Sequence, residues 1–283
     1  MTRPHVKSPP RTRLQRRPLR PPDPRRGKRV ALVTGAARGI GAATVRRLAA
    51  DDWNVVAVDR AEDDPRLPYP MGTAAELRAL ETERVLPVRA DACNLEAMLA
   101  ACQEAERRWG GLDAVVAAAG VIAGGVPAWE VDRLEERAVL DVNLGGVLTA
   151  ARAGIPALLR RSEPREGRFV AVASTAATRG LPQLAAYCAA KAGVVGLIRA
   201  LALELGGTGV TANAVSPGST RTPILEQSAR LYGLESGEEF AAQQALGRLV
   251  EPEEVAALIA WLAGPQSAGA TGGNFPLDGG LSL

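Results

Sequence analysis

The sequence predicts an α/β protein built on a doubly wound parallel sheet of about seven strands, with helices on both faces. Short apolar runs alternate with longer helical patterns along the chain, which is typical of strand–helix–strand units. Most apolar runs lack interspersed polar residues, and this indicates strands that are covered on both faces. A hydrophobic content of 47% in 283 residues supplies a sizeable core, so we expect one domain over residues 29–283.

Seven strands and five helices are predicted in chain order. The strands, mostly continuous runs of Val and Ala with little polar content, are residues 29–34, 54–59, 84–89, 113–119, 168–174, 209–216 and 272–278. The helical stretches lie near residues 40–51, 94–109, 131–161, 184–205 and 252–263. Two connections are long for this architecture, residues 60–83 and 217–248, and long connections after parallel strands tend to carry function. Apolar residues of the second connection are compatible with a substrate pocket, with the core and with a subunit contact.

The first 29 residues differ in composition from the rest. They hold eleven of the 34 Lys and Arg residues and one of the 31 Asp and Glu residues, which leaves 23 basic and 30 acidic residues elsewhere, a net charge of −7. The segment is rich in Pro and Arg and has no apolar run, so residues 1–28 are expected to form a disordered tail and not a secretory signal. A basic tail is compatible with nucleic-acid or anionic-membrane binding, but the acidic body argues against a nucleic-acid partner.

The use of histidine and cysteine narrows the chemistry. The three Cys residues show no metal-ligand spacing, and the one His, His5, lies in the predicted tail. A Ser-His-Asp hydrolase and a His-ligated zinc site are therefore excluded from the body, and we predict no metal. Acid–base chemistry must then use Tyr, Lys, Asp, Glu or Cys. We expect that no stretch reaches the length of a membrane span, and we therefore predict a reduced cytoplasm and no membrane partner.

A glycine-rich turn follows the first predicted strand. In the stretch TGAARGIGAA, Gly35, Gly39 and Gly41 give the pattern G-x-x-x-G-x-G. Small residues allow a tight turn and the close approach of a pyrophosphate, and the N-terminus of the next helix offers free N–H groups. Such a turn also serves ordinary loops, but one that follows the first strand and opens a helix has the context of a dinucleotide site.

A carboxylate at the end of the second strand indicates which dinucleotide would bind. Asp59 lies eighteen residues after Gly41, where it can accept hydrogen bonds from ribose hydroxyls and would repel a 2′-phosphate, so NAD is favoured over NADP. Arg38 and Arg60 are close in sequence and soften that preference. Asp91, after the third strand, is as compatible with capping the next helix as with contacting an adenine.

The stretch YCAAK places Tyr187 and Lys191 on one face of a predicted helix, because residues four apart face the same way. A phenol with a pKa near ~10 is a poor base at neutral pH, and a nearby ammonium lowers that pKa by favouring the phenolate. Ser174 ends a strand thirteen residues before Tyr187, and its hydroxyl can bind a substrate oxygen. Alone, the pair is also typical of a half-buried Tyr beside a snorkelling Lys.

Together these motifs resemble the short-chain dehydrogenase/reductase family along essentially all of residues 29–283. In order, the chain has TGAARGIG, Asp59, LDAVVAAAG, DVNLGG, Ser174, YCAAK, NAVSPGSTRTP and a closing LDGG. The resemblance implies a single Rossmann-type domain, hydride transfer between a nicotinamide cofactor and a small-molecule alcohol or carbonyl substrate, and a homotetramer. It implies that Asn143, Ser174, Tyr187 and Lys191 form the catalytic set, with Asn143 linking Lys191 to solvent through its helix and a water.

The resemblance and the motifs above also define the expected cofactor contacts. These are Gly35, Arg38, Gly39, Ile40, Gly41, Asp59, Arg60, Asp91, Ala92, Ala119, Gly120, Tyr187, Lys191, Pro217, Gly218, Thr220 and Thr222. One departure from the family is visible, since the usual Asn-Asn-Ala-Gly after the fourth strand is here AAAG, residues 117–120. The first Asn of that motif usually steadies the central sheet, so its loss puts that hydrogen bond in doubt but not the chemistry.

A narrower resemblance concerns the insert after Asp59. Its sequence, together with AAAGVIAGG and YCAAKAGVVGL, looks like the mycofactocin-associated branch of this family. That resemblance implies that NAD is held so tightly that it does not exchange, and that mycofactocin, a peptide-derived redox molecule, reoxidises it in place. An insert at this position can cover the adenosine half of the cofactor, although a decorative loop is the competing interpretation.

Two other functions remain open at this point. One is an ordinary ketoreductase that exchanges NAD(H) or NADP(H), which Arg38 favours. The other is a non-enzymatic dinucleotide-binding sensor or scaffold. A complete set of Asn143, Ser174, Tyr187 and Lys191 argues against the second, because a binding protein does not need all four.

Overall fold

A computed structural model describes residues 28–283, so the predicted tail falls outside the described residues except for Lys28. The described residues form a sheet of seven parallel strands in the order β3-β2-β1-β4-β5-β6-β7. The strands are β1 Val30–Thr34, β2 Asn54–Asp59, β3 Val85–Arg89, β4 Ala114–Ala117, β5 Arg168–Val172, β6 Thr211–Pro217 and β7 Asn274–Leu277. The predicted fold class is therefore confirmed, and each predicted strand lies within a few residues of an observed one.

Helices cover both faces of this sheet. They are α1 Gly39–Ala50, α2 Ala74–Arg78, α3 Leu95–Trp109, α4 Arg133–Leu140, α5 Gly146–Leu159, α6 Ala185–Glu204, α7 Pro223–Leu231 and α8 Pro252–Ala263. A π-helical turn, Asp141–Gly145, joins α4 to α5 without a break, so the predicted helix near 131–161 is one continuous segment. The helices α2 and α7 lie inside the two long connections and were not predicted.

The two faces of the strands explain why the apolar runs do not alternate with polar residues. In β1, Val30 and Leu32 belong to a core with α3, α5 and α6, whereas Ala31 and Val33 belong to a second core with α1 and α8. Every residue of β1 is buried. A strand covered on both faces by helices has no solvent-facing side, so apolar residues are favoured at consecutive positions.

The strand order reverses between β1 and β4, and the crevice at the carboxyl ends of these strands is where such sheets bind ligands. The hydroxyl oxygen of Thr34, at the end of β1, accepts hydrogen bonds from the N–H groups of Ala118 at 3.1 Å and Ala119 at 3.2 Å. Ala117 pairs with Thr34 in register and is 2% exposed. Thr34 thus ties the two strand ends together where the family's usual Asn is missing.

Our expectation that no stretch reaches the length of a membrane span was wrong, since two helices pass a test based on length and composition alone. Arg133–Leu159 and Ala185–Glu204 are both long and apolar enough to pass that test. Both segments pack on the sheet, and residues such as Val147, Ala150, Val194 and Ile198 belong to its core. Core helices of this kind satisfy the same criterion, so the finding is weak evidence for a membrane span.

Candidate active site and cofactor cavity

Two adjoining cavities open at the carboxyl end of the sheet, on either side of the crevice. The larger has a volume of about 550 Å³ and the smaller about 90 Å³, and Gly35, Arg38 and Gly120 line both. Of the residues predicted from the sequence, the larger cavity is lined by Gly35, Arg38, Gly39, Ile40, Gly41, Gly120, Asn143, Ser174, Tyr187, Lys191, Pro217, Gly218, Thr220 and Thr222. The smaller is lined by Gly35, Arg38, Asp59, Arg60, Asp91, Ala92, Ala119 and Gly120. The structure therefore brings all the predicted site residues to these two cavities.

The glycine-rich turn leaves no room for side chains at two positions. A Cβ on Gly41 would lie 2.0 Å from the carbonyl oxygen of Gly35. Gly35 has φ +67, and a Cβ there would lie 2.7 Å from Cα of Ala119. Helix α1 begins after Arg38 without a side-chain cap, so its first N–H groups are available to an anion. This cradle fits the pyrophosphate of a dinucleotide.

Asp59 is fixed between two backbone segments at the smaller cavity. One carboxylate oxygen accepts from the N–H of Ala37 in the glycine-rich turn at 3.0 Å, and the other accepts from the N–H of Ala61 at 2.8 Å. A carboxylate has about four acceptor sites, so lone pairs remain for ribose hydroxyls. An anion here disfavours a 2′-phosphate.

The two interpretations of Asp91 are separated by its neighbours. Asn94, not Asp91, is the N-cap of α3, and its side chain accepts from the N–H of Ala97 at 3.1 Å. Asp91 instead accepts from the N–H of Cys93 at 2.8 Å and lines the smaller cavity. The helix-cap alternative is therefore wrong, and Asp91 remains available to an adenine.

Ser174, Tyr187 and Lys191 reach the larger cavity from two consecutive elements. Ser174 follows β5 and caps a single 3₁₀ turn, where its Oγ accepts from the N–H of Ala176 at 3.1 Å. Tyr187 and Lys191 lie on α6, and the Lys191 Nζ is 5.7 Å from the centre of the Tyr187 ring. Lys191 is 3% exposed and donates to the carbonyl of Val172 at 2.9 Å. That hydrogen bond fixes α6 against the end of β5.

The electrostatics of this pair differ from our expectation. We expected the ammonium to lower the tyrosine pKa, but burial raises the pKa of Tyr187, and this outweighs a hydrogen bond from Ser174 that lowers it. Burial also lowers the pKa of Lys191 to about 8. Both charged forms lose hydration inside the protein, so the site without a cofactor favours the neutral phenol.

Asn143 lies in the π-helical turn and is fully buried. Its amide donates to the carbonyls of Val121 at 2.9 Å and Val139 at 2.8 Å, and its Oδ1 accepts from the N–H of Val121 at 3.2 Å. A Cβ on Gly120 would lie 3.0 Å from this Oδ1 and 3.7 Å from the Lys191 Nζ. Asn143 therefore fixes the loop after β4 beside Lys191. Both amide hydrogens of Asn143 bind backbone carbonyls. The expected link from Lys191 to solvent through the helix of Asn143 and a water stays a prediction.

The insert of residues 60–83 forms part of the wall of the smaller cavity. Its residues Glu62, Asp64, Met71 and Gly72 form part of the cavity wall. Arg38 of the glycine-rich turn donates to the carbonyl of Pro70 at 3.0 Å. The Tyr69 hydroxyl, in a ring that is 7% exposed, accepts from the N–H of Ile122 at 2.8 Å. The insert thus spans from the glycine-rich turn to the loop after β4.

A group of ion pairs, which we call the Asp64 cluster, anchors the insert and comprises Arg60, Asp64, Arg66 and Asp141. Asp64 accepts from Arg60 at 3.1 Å and from Arg66 Nε at 3.0 Å and Nη2 at 2.8 Å. Arg66 also donates to Asp141, at the start of the π-helical turn, at 2.7 Å. The hydrogen bonds from Arg66 lower the pKa of Asp64 to about 2. Sequence reasoning missed this cluster, and the length of the insert was the only signal that pointed to it.

The second long connection forms another part of the wall of the larger cavity. Helix α7 and the residues after it contribute Ile224, Leu225, Tyr232, Leu234 and Phe240 to the larger cavity. The Tyr232 hydroxyl donates to the carbonyl of Pro182 at 2.7 Å, which joins this wall to the loop before α6. Several of these residues therefore line the cavity, while Leu225 and Phe240 also belong to a small core that includes Leu249.

Comparison with known proteins agrees with this geometry. Residues 35–282 match the family model described as enoyl-(acyl carrier protein) reductase. The short-chain reductase protein NovJ of Streptomyces niveus is 37% identical over 260 residues, which span 89% of this chain and 93% of NovJ. The cis-4-hydroxycyclohexanecarboxylate dehydrogenase of Sinomonas cyclohexanicum is 38% identical over 259 residues, 90% of this chain and 97% of that protein.

A solved structure gives the same result for the fold. Carveol dehydrogenase from Mycobacterium avium, solved in complex with NAD, superposes with a TM-score of 0.83 at 30% identity, covering 90% of this chain and 98% of that one. Identity at this level over nearly whole chains establishes common family membership. The chain belongs to the short-chain dehydrogenase/reductase family of nicotinamide-dependent oxidoreductases that act on CH–OH groups.

Proposed function

We propose that this protein is an NAD-dependent dehydrogenase that interconverts an alcohol, primary or secondary, and the corresponding carbonyl compound. The observation that carries the proposal is the convergence of Ser174, Tyr187 and Lys191 on one cavity with the glycine-rich turn. A binding protein needs the turn alone. Burying the ammonium of Lys191 beside the half-buried Tyr187 costs stability, and such a cost is typical of a pair that does chemistry.

In the proposed mechanism the substrate oxygen lies between Ser174 and Tyr187. The Oγ of Ser174 accepts from the N–H of Ala176. Its O–H, which lowers the pKa of Tyr187 through a hydrogen bond when no substrate is present, is the group that would donate to that oxygen. In the oxidation direction Tyr187 acts as general base in its phenolate form, which the ammonium of Lys191 beside the ring stabilises. The phenol first releases its proton to solvent; the phenolate then takes the proton of the substrate hydroxyl and becomes a neutral phenol again. NAD⁺, when bound, supplies the hydride acceptor and a positive charge beside this pair.

The cofactor preference is assigned to Asp59. Its carboxylate is held at the smaller cavity by two backbone N–H groups, and a second anion there would be repelled at short range. Arg38 borders both cavities, and it is the feature that favours the alternative, an exchange-competent NAD(P)H ketoreductase. The carbonyl of Pro70 in the insert uses one of the five N–H donors of Arg38, and the others stay available.

We further propose that bound NAD exchanges slowly and is reoxidised in place by mycofactocin. The support is the insert, which walls the smaller cavity and is fixed by Arg38, Tyr69 and the Asp64 cluster. A cofactor covered by a fixed segment leaves only when that segment opens.

We also propose a homotetramer, because α6 presents apolar residues to solvent, such as Leu203, which is 85% exposed.

The first experiment measures nicotinamide nucleotide in protein purified without added cofactor and then denatured. We expect close to one NAD per chain. We also expect that an alcohol from a test panel reduces this protein-bound NAD, which is seen as absorbance at 340 nm, and that an artificial electron acceptor then reoxidises it. Little nucleotide, with full activity restored by free NAD(P)H, would support the exchange-competent ketoreductase instead.

Replacing Arg66 by Met is expected to release NAD. Asp64 is 3% exposed and would keep only Arg60 as a side-chain partner. The Arg66 side chain is 29% exposed, so the pair is partly buried, and its loss costs between the roughly 0–1 kcal/mol of a surface pair and the roughly 3–5 kcal/mol of a buried one. Since Arg66 itself does not line either cavity, the change acts through the position of the insert. We expect bound NAD after dialysis to fall at least about tenfold, by the energy scale of this pair.

The matched control for that variant is Arg84→Met. Arg84 pairs with Asp52 at 2.7 Å on the surface, where such a pair contributes about 0–1 kcal/mol. Equal NAD retention in both variants would contradict the role of the Asp64 cluster.

The pH dependence of this cluster has a defined sign. The pKa of Asp64 falls from 3.8 to about 2 on folding, so the contribution of Asp64 to the stability of the folded protein is present above pH ~4 and is lost as the pH falls towards 2.

A further inference from the structure

The charges that face the larger cavity are all of one sign. None of its lining residues, within the part of the chain that the structure describes, is Asp or Glu, whereas Arg38, Arg179 and Lys191 are cations. Arg38 lies on the glycine-rich turn, at the end that fits a pyrophosphate, and Lys191 belongs to the proposed catalytic set. Arg179 has no role in the proposed hydride and proton transfers.

Arg179 is an exposed residue that lines this cavity, and it is held from two directions. Its backbone N–H donates to the carbonyl of Thr175 at 2.9 Å, in the turn that Ser174 caps. Its Nη1 donates to the carbonyl of Leu281, in the segment after β7. Leu281 lines the same cavity. The guanidinium is thus tethered by one nitrogen, and its other N–H groups stay available, since a guanidinium carries five donors.

No carboxylate of residues 28–283 forms an ion pair with Arg179. By contrast, Arg221 pairs with Glu238 and Glu251. The wall beyond the catalytic residues is apolar and includes Leu184, Ile224 and Phe240. Apart from Arg38 and Lys191, Arg179 is the only charged residue of the described chain that lines this cavity. A cation beside a largely apolar wall favours an apolar body that carries an anionic group.

We propose that Arg179 is a specificity-determining residue that binds an anionic oxygen group, carboxylate or phosphate, on the substrate. This inference deepens the proposed function, since it concerns the substrate of the same site. The guanidinium anchors the anion while the apolar body of the substrate extends towards Ser174 and Tyr187. Hydrogen bonds to a charged partner are roughly twice as strong as neutral ones, so the anion sets the orientation in which the hydroxyl meets Tyr187.

The test uses unreactive probes, so that it does not depend on turnover. Binding of cyclohexanecarboxylate, cyclohexyl phosphate and cyclohexanecarboxamide to the NAD-saturated protein is measured by ligand-observed NMR at low ionic strength. We expect at least one anion to bind about 10- to 100-fold more tightly than the neutral amide, the range for a charge-assisted hydrogen bond. Which anion binds more tightly separates a carboxylate substrate from one with a phosphate.

Variants then assign the effect to Arg179. Arg179→Met is expected to remove the preference for the anion and to leave amide binding unchanged, and Arg179→Lys is expected to keep part of it. Arg46→Met, on the exposed side of α1 and away from both cavities, is the control and should behave as the unmodified protein.

The inference is overturned if the amide binds as tightly as both anions, if Arg179→Met keeps the preference, or if none of the three probes binds. These results are separable from failure of the proposed function. A protein that binds NAD, and binds the anions through Arg179, but oxidises no alcohol would refute the dehydrogenase and leave the anion site standing.

Discussion

Replacing Tyr187 by Phe is expected to lower kcat by about 10²–10⁴-fold, the range that a positioned general base contributes. Phe keeps the ring and its packing and removes only the hydroxyl, so the fold and the bound NAD should be unchanged. The measurement is alcohol-dependent reduction of the cofactor, with the NAD content of each preparation determined in parallel. Loss of activity with an unchanged NAD content identifies a chemical defect and not a binding defect.

Tyr232→Phe is the matched control for this variant. Tyr232 lines the same cavity, but its hydroxyl donates to the carbonyl of Pro182 at 2.7 Å and so serves the pocket wall. Its loss removes one neutral hydrogen bond, which contributes about 0.5–1.5 kcal/mol, and activity should stay within about tenfold. Near-native kcat in Tyr187→Phe, or equal losses in the two variants, would rule out Tyr187 as the base.

The strands could be predicted from the sequence because their environment is uniform. Both faces of β1 are covered, so each of its residues is apolar or small, and the pattern can be recognised without knowledge of its partners. The two missed helices carried readable signals. Thr222 caps α7 with Pro223 at its first position, and Thr73 forms a capping box with Glu76 at the start of α2. Both helices are short and lie within long connections, so these signals were not recognised in the sequence.

The missed parts of the site depend on contacts between distant residues. Arg66 and Asp141 are separated by 75 positions, and Arg179 and Leu281 by 102. Nothing in the local pattern around Arg66 or Arg179 specifies those partners. The glycine-rich turn and the Tyr–Lys pair were found because their spacing along the chain is itself the geometry that matters.

The pKa of Tyr187 shows a second limit of sequence reasoning. The four-residue spacing predicts that Lys191 faces Tyr187, and the two do approach to 5.7 Å. The spacing does not predict that Lys191 is buried and Tyr187 half-buried, so that desolvation raises the pKa of Tyr187 and lowers that of Lys191. The sign of the shift depends on burial, which only the packing of α6 against the end of β5 determines.

The same burial leads to opposite effects of Lys191→Met on activity and stability. Loss of the ammonium removes the charge that stabilises the phenolate, and we expect kcat to fall by about 10²–10³-fold, as for other interactions that stabilise developing charge. The free energy of unfolding should rise, since the variant no longer buries an ammonium whose pKa is lowered from 10.5 to about 8. That shift corresponds to about 3 kcal/mol, and loss of the hydrogen bond to Val172 offsets about 1 kcal/mol of it.

The pH dependence of this gain has a fixed sign and is the decisive measurement. Between pH ~8 and ~10.5 the unfolded chain holds a proton on Lys191 that the folded protein has released, so the cost of burying the charge is present below pH 8 and is relieved as the pH rises. Urea unfolding of both proteins, refolded without nucleotide at equal concentration, should show Lys191→Met about 1–2 kcal/mol more stable at pH 7. The difference should shrink at pH 9.5.

A variant that is less stable at both pH values by the same amount would show that Lys191 is a packing residue and would remove the physical basis for its role beside Tyr187. A variant that is inactive and more stable at neutral pH would show that the protein retains a destabilising charge for the chemistry of this site.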